Sequence, residues 1–246
     1  MSDFVLDHDP FTTRHLEAVG VDVGWRCLDV GADGGSIARW LKQRVGPDGR
    51  VVATDANPAM LADDLEEAGI EARVHDISTE DLPGGDFDLV HSRLMLCVLP
   101  EPDVAVSRMV AALRPGGVLA LCDLDFTSHR PAEPTQFWSR IWGLFLDRMH
   151  FGGWHPAYGS KLTDLLEAHG LAEVEGEWVR RYVRGGGRTC RLTSRALERA
   201  RKMMLDTGTV SDEEIDAARA LLADPAQSFF APTLVMAWGH RAEGQS

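Results

Sequence analysis

The chain has 246 residues, 44% of them hydrophobic and 26% charged, with a formal net charge of −13. That length suits one large domain, or a core domain with a cap, and the ordinary apolar content allows a sizeable core. The acidic balance argues against nucleic acid and anionic membranes as partners unless a local basic patch supplies the attraction.

Residues 1–9 are acidic and read as loose, with no basic stretch or apolar run of a signal peptide. No later segment has the unbroken apolar length of a membrane span, so a cytoplasmic protein is expected. Residues 10–19 suit a short helix, with Phe11, His15, Leu16 and Val19 on one side. It either lies over a ligand site or packs on the core. Residues 25–30 then read as a strand and 34–45 as a helix. Between them the chain runs Leu28-Asp29-Val30-Gly31-Ala32-Asp33-Gly34-Gly35, a glycine-rich turn that lets the backbone approach a ligand without Cβ clashes. Residues 50–55 form a second strand ending in a carboxylate, Asp55. Asn57 and Pro58 are a cap and first position for a helix running to about residue 68.

A third strand is expected at 71–75, followed by Asp76-Ile77. A turn falls at 82–85 and a fourth strand at 87–92. A helix covers 101–113, closed by Arg114-Pro115-Gly116-Gly117, and a strongly apolar fifth strand covers 118–124. Alternation of strands and helices, with central strands apolar on both faces, predicts an α/β fold. Its core is a Rossmann-like, mostly parallel, seven-stranded sheet with helices on both faces. Asp29, Asp55, Asp76 and Ser92 all fall at strand ends, where such folds bind ligands.

Beyond residue 125 the pattern changes. Phe137, Trp138, Ile141, Trp142, Phe145, Leu146 and Met149 build a helix with a broad aromatic face. A loop with Trp154, His155 and Tyr158 follows, then a helix at 161–169 and a sixth strand at 171–183. Helices at 193–207 and 212–222, the second opened by a Ser211/Glu214 capping box, precede a last strand at 233–238. The organisation expected is an N-terminal segment (1–24), a core (25–126 and 171–240) and a helical cap (127–170), with further cap helices within 193–223. Arg180, Arg181, Arg184, Arg188 and Arg191 are the best basic candidates and read as a solvated strand edge and loop. Cys27, Cys97, Cys122 and Cys190 form no CxxC pair. They read as small buried hydrophobes in a reducing compartment, with no metal site.

The glycine turn alone is weak evidence, because nicotinamide and flavin enzymes use a similar one. Asp33 sits where their second glycine stands. Asp29 would repel a pyrophosphate, whereas it would attract a cofactor carrying an ammonium and a sulfonium. With these residues the chain resembles a class I S-adenosylmethionine-dependent methyltransferase. Residues 28–35 are similar to that family's first motif, with a departure at Asp33. Val52-Ala53-Thr54-Asp55 is similar to its second, Phe87-Asp88-Leu89-Val90-His91-Ser92-Arg93 to its fourth, and Leu113-Arg114-Pro115-Gly116-Gly117-Val118 to the segment after it.

The resemblance implies S-adenosylmethionine as cofactor. Gly31, Ala32, Gly34 and Gly35 would cradle its methionine part beside Asp29. Asp55, with Ala56 next to it, would accept the ribose hydroxyls. Asp76 and Ile77 would hold the adenine, with Met60 either packing on it or filling core. Ser92 and Arg93 would line the methionine tail through their backbone. The implied activity is methyl transfer to an oxygen, nitrogen or carbon of a small organic molecule, such as a specialised-metabolism intermediate. The alternative is a cyclisation or rearrangement that keeps the cofactor without methylating. Positioning alone can drive the transfer, and an oxygen or nitrogen acceptor can also need a general base. His155 is the first candidate and His150 the second, with His91 and His129 behind them. Trp138, Trp142, Phe145, Trp154, Tyr158 and Phe230 are candidates to face an apolar or planar substrate. A monomer or homodimer is expected.

Overall fold

The computed structural model describes residues 8–82 and 86–243. In chain order its elements are α1 (Asp9–Val19), β1 (Arg26–Val30), α2 (Ser36–Val45), β2 (Arg50–Asp55), β3 (Glu71–Val74), β4 (Phe87–Arg93), α3 (Pro102–Ala112) and β5 (Leu113–Asp125). Then come β6 (Arg130–Pro131), α4 (Gln136–Phe151), α5 (Leu162–Ala168), β7 (Leu171–Val179), β8 (Tyr182–Arg184), α6 (Arg188–Leu205), α7 (Asp212–Ala223), β9 (Ser228–Phe230) and β10 (Thr233–Arg241). The described residues fall into two compact units, one of residues 8–82, 86–123, 161–177 and 235–243, the other of residues 124–160 and 178–234. Among the described residues no helix is long and apolar enough to cross a membrane.

The first unit holds a Rossmann-like seven-stranded sheet of order β3-β2-β1-β4-β5-β10-β7. The pairs β3/β2, β2/β1, β1/β4 and β4/β5 are parallel. Strand order reverses between β1 and β4, so a crevice opens at their carboxyl ends, where Val30 pairs with Ser92. Cys27 to Val30 on β1, Val51 to Thr54 on β2 and Leu89 to Arg93 on β4 are buried without interruption. Such strands need cover on both faces, which is why they read as continuous apolar runs. The N-terminal helix packs on the core: α1 buries Thr12, His15 and Leu16, and His15 Nε2 lies 2.5 Å from Glu177 on β7.

The second unit is built on α4, α6 and α7 with a three-stranded antiparallel sheet of order β6-β9-β8. Trp138, Ile141, Trp142 and Phe145 of α4 meet Cys190, Leu197, Ala200 and Met204 of α6 and Ile215, Ala218 and Leu222 of α7 in one core. The Ser211/Glu214 capping box opens α7 as expected.

Several expectations need correction. The helix expected after Asn57 is a single 3₁₀ turn, Pro58–Met60. Asn57 caps Ala59 N–H, but Leu61 is extended at ψ 111°. Leu65 is the only buried residue between 56 and 69, so no apolar stripe exists to pack a longer helix. The strand expected at 171–183 is two strands, because β7 joins the large sheet and β8 turns off to pair with β9. The helix expected from 193 starts at Arg188, since its buried stripe already begins at Cys190. Arg114 to Gly117 is a bulged entry into β5, with Gly116 at φ +73°, and not a separate turn. Strands β6 and β9 are too short to have been read from alternation. Residues 1–7, and Pro83, Gly84 and Gly85 of the expected 82–85 turn, lie outside the described residues. All four cysteines are free and buried, and burial raises their thiol pKa values, that of Cys190 to about 11.

Candidate functional site

The glycine turn is held by its own backbone. Gly31 and Ala32 donate N–H bonds of 2.8 and 3.0 Å to the Thr54 carbonyl, so β1 and β2 end together. Gly34 donates to Met60 O at 2.6 Å, and Arg39 Nη1 donates to Gly34 O at 2.7 Å. Gly31, Gly34 and Gly35 all have positive φ, of 75°, 85° and 75°. Space also demands glycine at position 35, where a Cβ would lie 2.5 Å from Leu65 Cδ2.

Asp33 shares this left-handed backbone at φ +35°, which Asp tolerates better than most residues. Its backbone N–H donates to Asp55 Oδ2 at 3.3 Å, while Asp55 Oδ1 accepts the Asn57 N–H at 2.9 Å. Asp55 is thus a half-buried carboxylate aimed by two main-chain donors at the end of β2. Any residue but proline at position 33 supplies the first of them. Asp33→Gly keeps that bond and relieves the backbone, so we expect stability to rise by about 0.5–1 kcal/mol, with S-adenosylhomocysteine affinity unchanged or tighter. Tenfold weaker binding by calorimetry would show instead that the Asp33 side chain supports the ligand.

Asp29 lies beneath the turn, 2% exposed, with Oδ1 2.7 Å from His91 Nδ1. His91 is fully buried on β4, and its Nε2 has no partner among the described residues. A histidine sealed in this way cannot take a proton from a substrate, which removes His91 as a general base. Ser92 Oγ donates to Val30 O at 2.9 Å and ties β4 to β1 at the crevice. Arg93, at the end of β4, is 8% exposed, and its Nη1 lies 2.7 Å from Asp9 Oδ1. The sequence reading gave Arg93 only a backbone role and missed Asp9 altogether.

Asp76 caps its own turn. Oδ1 accepts the Ser78 N–H at 2.9 Å, and that bond holds the carboxyl below its usual range. Ile77 is buried, and its carbonyl accepts from Arg108 Nη1 at 2.8 Å. Ala56 is exposed and Met60 half-buried.

In the second unit the aromatic candidates divide. Trp138, Trp142 and Phe145, read as possible substrate contacts, are 2%, 5% and 3% exposed. They stack on one another in the core, Trp138 on Trp142 at 5.6 Å and Trp142 on Phe145 at 4.7 Å. Their indole N–H groups are satisfied by the His129 and Phe126 carbonyls. His129 sits against both indoles and Phe229, donating Nδ1–H to Phe230 O at 2.8 Å. Burial pushes its pKa down to about 4, so it is neutral at pH 7. Trp154 is half-buried against Phe126. The Arg130 and Arg180 guanidinium groups lie 4.8 and 5.8 Å from the Phe230 ring centroid, and Tyr182 meets that ring edge-on.

The two histidine candidates do come together. His150 and His155 have ring centroids 6.0 Å apart, and His155 lies 5.7 Å from Tyr158. His150 Nδ1 donates to Trp154 O at 3.0 Å, which leaves its Nε2 as the acceptor. Arg180, Arg181, Arg184 and Arg191 are exposed, and no carboxylate among the described residues pairs with them.

Residues 28–121 match the family model described as a methyltransferase domain. The ubiquinone/menaquinone biosynthesis C-methyltransferase UbiE of Laribacter hongkongensis is 36% identical over 115 residues, which cover 45% of this chain and 47% of that protein. The chain thus matches about half the length of this curated relative. The structure of YcgJ from Bacillus subtilis superposes with a TM-score of 0.62 at 15% identity, covering 94% of this chain and 98% of that one. The phosphoethanolamine N-methyltransferase 2 of Haemonchus contortus, solved with S-adenosyl-L-methionine, gives a TM-score of 0.54 at 18% identity, covering 90% and 49%. The turn, the clamped Asp55 and the strand-order reversal beside them therefore lie within the stretch that matches a methyltransferase domain.

Proposed function

We propose that this chain binds S-adenosylmethionine at the glycine turn and transfers its methyl group to a small organic molecule. The observation that carries this reading is Asp55. It is an acceptor-only carboxylate at the end of β2, oriented by the Asp33 and Asn57 N–H groups and still half-exposed. Such a group fits a vicinal diol, which offers two donors to one carboxylate. The turn at Gly31 to Gly35 lets a ligand meet bare backbone, and Asp29 adds a buried negative charge that favours a cationic ligand.

When bound, the cofactor supplies a methyl group activated by the neighbouring sulfonium. The protein's work is then positional, since the acceptor must stand in line with the methyl and opposite the sulfur. An oxygen or nitrogen acceptor also releases a proton, for which His155 and His150 are the proposed bases. Trp154 and Phe230, both half-buried, are the aromatic residues we assign to a planar substrate, whereas Tyr158, 7% exposed, belongs with the buried side chains. A specialised-metabolism intermediate is the proposed substrate class. The curated relative's name adds quinone precursors to the compounds worth assaying.

Incubation with methyl-labelled S-adenosylmethionine and a panel of phenols, quinols and amines tests this. Label in an organic product, with release of S-adenosylhomocysteine, is expected. An unlabelled but rearranged product would favour the non-methylating alternative. Absence of binding by calorimetry at ~300 µM cofactor would sink both.

A further inference from the structure

The small sheet β6-β9-β8 turns one face to the core of the second unit and the other away from it. Its register pairs Arg130 with Phe230 and Phe230 with Tyr182, and in the next outward-facing row Ser228 with Arg184. Side chains alternate along a strand, so these residues share a face. Phe229, on the opposite face, is fully buried, whereas Phe230 is half-buried and Tyr182 is 58% exposed. Arg180, just before β8, joins Arg130 over the Phe230 ring.

Neutral acceptors hold each of these arginines. Arg130 Nη1 donates to the Pro131 and Ala132 carbonyls at 3.1 and 3.3 Å, and Arg184 Nη1 donates to Ser228 Oγ at 3.0 Å. Arg180 Nε donates to Thr233 Oγ1 at 3.3 Å. Thr233 Oγ1 donates in turn to Ser128 Oγ, and Ser128 Oγ to the Asp125 carbonyl. No carboxylate among the described residues pairs with Arg130, Arg180 or Arg184. Their charge is therefore anchored in place and not neutralised. An aromatic ring flanked by anchored guanidinium groups fits a flat anion, which offers one face to the ring and two acceptor oxygens to the N–H donors.

The net charge of −13 limits the size of that anion. A nucleic acid strand or an acidic protein face would bring many charges against an acidic molecule. A small anion responds mainly to charges within a Debye length, ~8 Å at physiological salt. We propose that the methyl acceptor is a planar aromatic acid, its ring on Phe230 and its carboxylate on Arg130 and Arg180. The inference rests on the methyl-transfer reading above and names its substrate class.

Calorimetry on the full chain saturated with S-adenosylhomocysteine tests it, with 6-hydroxy-2-naphthoate and the matching neutral amide as probes. The wild type should bind the acid about 30-fold tighter than the amide. Arg180→Gln should weaken the acid about tenfold and the amide less than about threefold. Phe230→Leu should weaken both about tenfold. Arg199→Gln removes the same charge from an exposed position on α6 and should move neither probe by more than about twofold. If Arg180→Gln does not fold, Arg130→Gln should show the same selectivity. Equal wild-type affinity for acid and amide would overturn the proposal. So would equal losses of both probes in Arg180→Gln, which would reduce Arg180 to a brace for Thr233. A matching loss of the acid in Arg199→Gln would trace the preference to overall charge and overturn it too. Turnover of neutral phenols with no preference for the acid would overturn the substrate class and leave the methyl-transfer reading standing. Failure to bind S-adenosylhomocysteine would bring down that reading and the substrate class with it.

Discussion

Asp55→Ala should weaken S-adenosylhomocysteine binding about 100-fold, or ~2.7 kcal/mol, with the protein still folded. The size follows from the donor count. A ribose diol offers two O–H donors to one anionic acceptor, and hydrogen bonds to a charged group contribute about 1.5–3 kcal/mol each before solvent exposure reduces them. Asp55 is half-exposed, so the sum is discounted to the low end. The change also removes the acceptor for the Asp33 and Asn57 N–H groups. Both donors lie near solvent and can turn to water, so the melting temperature should fall by only a few degrees, about 1 kcal/mol. Asp55→Asn separates charge from shape, because the amide keeps one acceptor oxygen in place. We expect about a tenfold loss. Titration calorimetry of the three proteins reads all of this. A loss under about threefold for Asp55→Ala would mean that the diol is held elsewhere and that Asp55 only braces the turn.

The elements around Asp55 were legible because physics leaves them little freedom. β1, β2 and β4 are buried along their length, and the turn between β1 and α2 needs glycine for both backbone angle and space. Those constraints write themselves into consecutive residues. Other features depend on partners far away in the chain. Asp9 and Arg93 lie 84 residues apart, and nothing local to either announces the pair. Asp29 was read as facing a ligand, yet its nearest partner is His91 on a neighbouring strand, which only the parallel register reveals. The segment after Asn57 misled in the opposite direction. A good cap and Pro58 signalled a helix, but only Leu65 finds a place in the core, and capping without packing sustains one turn. The aromatic face of α4 was legible as a face. Whether it met substrate or core was not, because both want the same side chains.

For Trp138 that question has an energetic answer. Trp138→Ala should cost about 3–5 kcal/mol of stability, the range for deleting a large buried aromatic side chain. The indole is 2% exposed, stacks on Trp142, and meets His129 and Phe229 at their edges. Its Nε1–H donates to the His129 carbonyl at 3.2 Å, so truncation leaves a void and an unsatisfied buried oxygen together. Trp138→Phe keeps most of the ring and loses the donor, for an expected ~1–2 kcal/mol. Because the chain forms two compact units, denaturation need not be a single transition, and the loss should appear where the second unit unfolds. Below that transition S-adenosylhomocysteine affinity should stay within about threefold of the wild type, since the turn and Asp55 belong to the first unit. A residue that lines a substrate site behaves differently: truncation leaves stability nearly intact and removes turnover. A Trp138→Ala protein that unfolds at the wild-type denaturant concentration but no longer methylates would return Trp138 to the substrate-binding residues and contradict the core assignment.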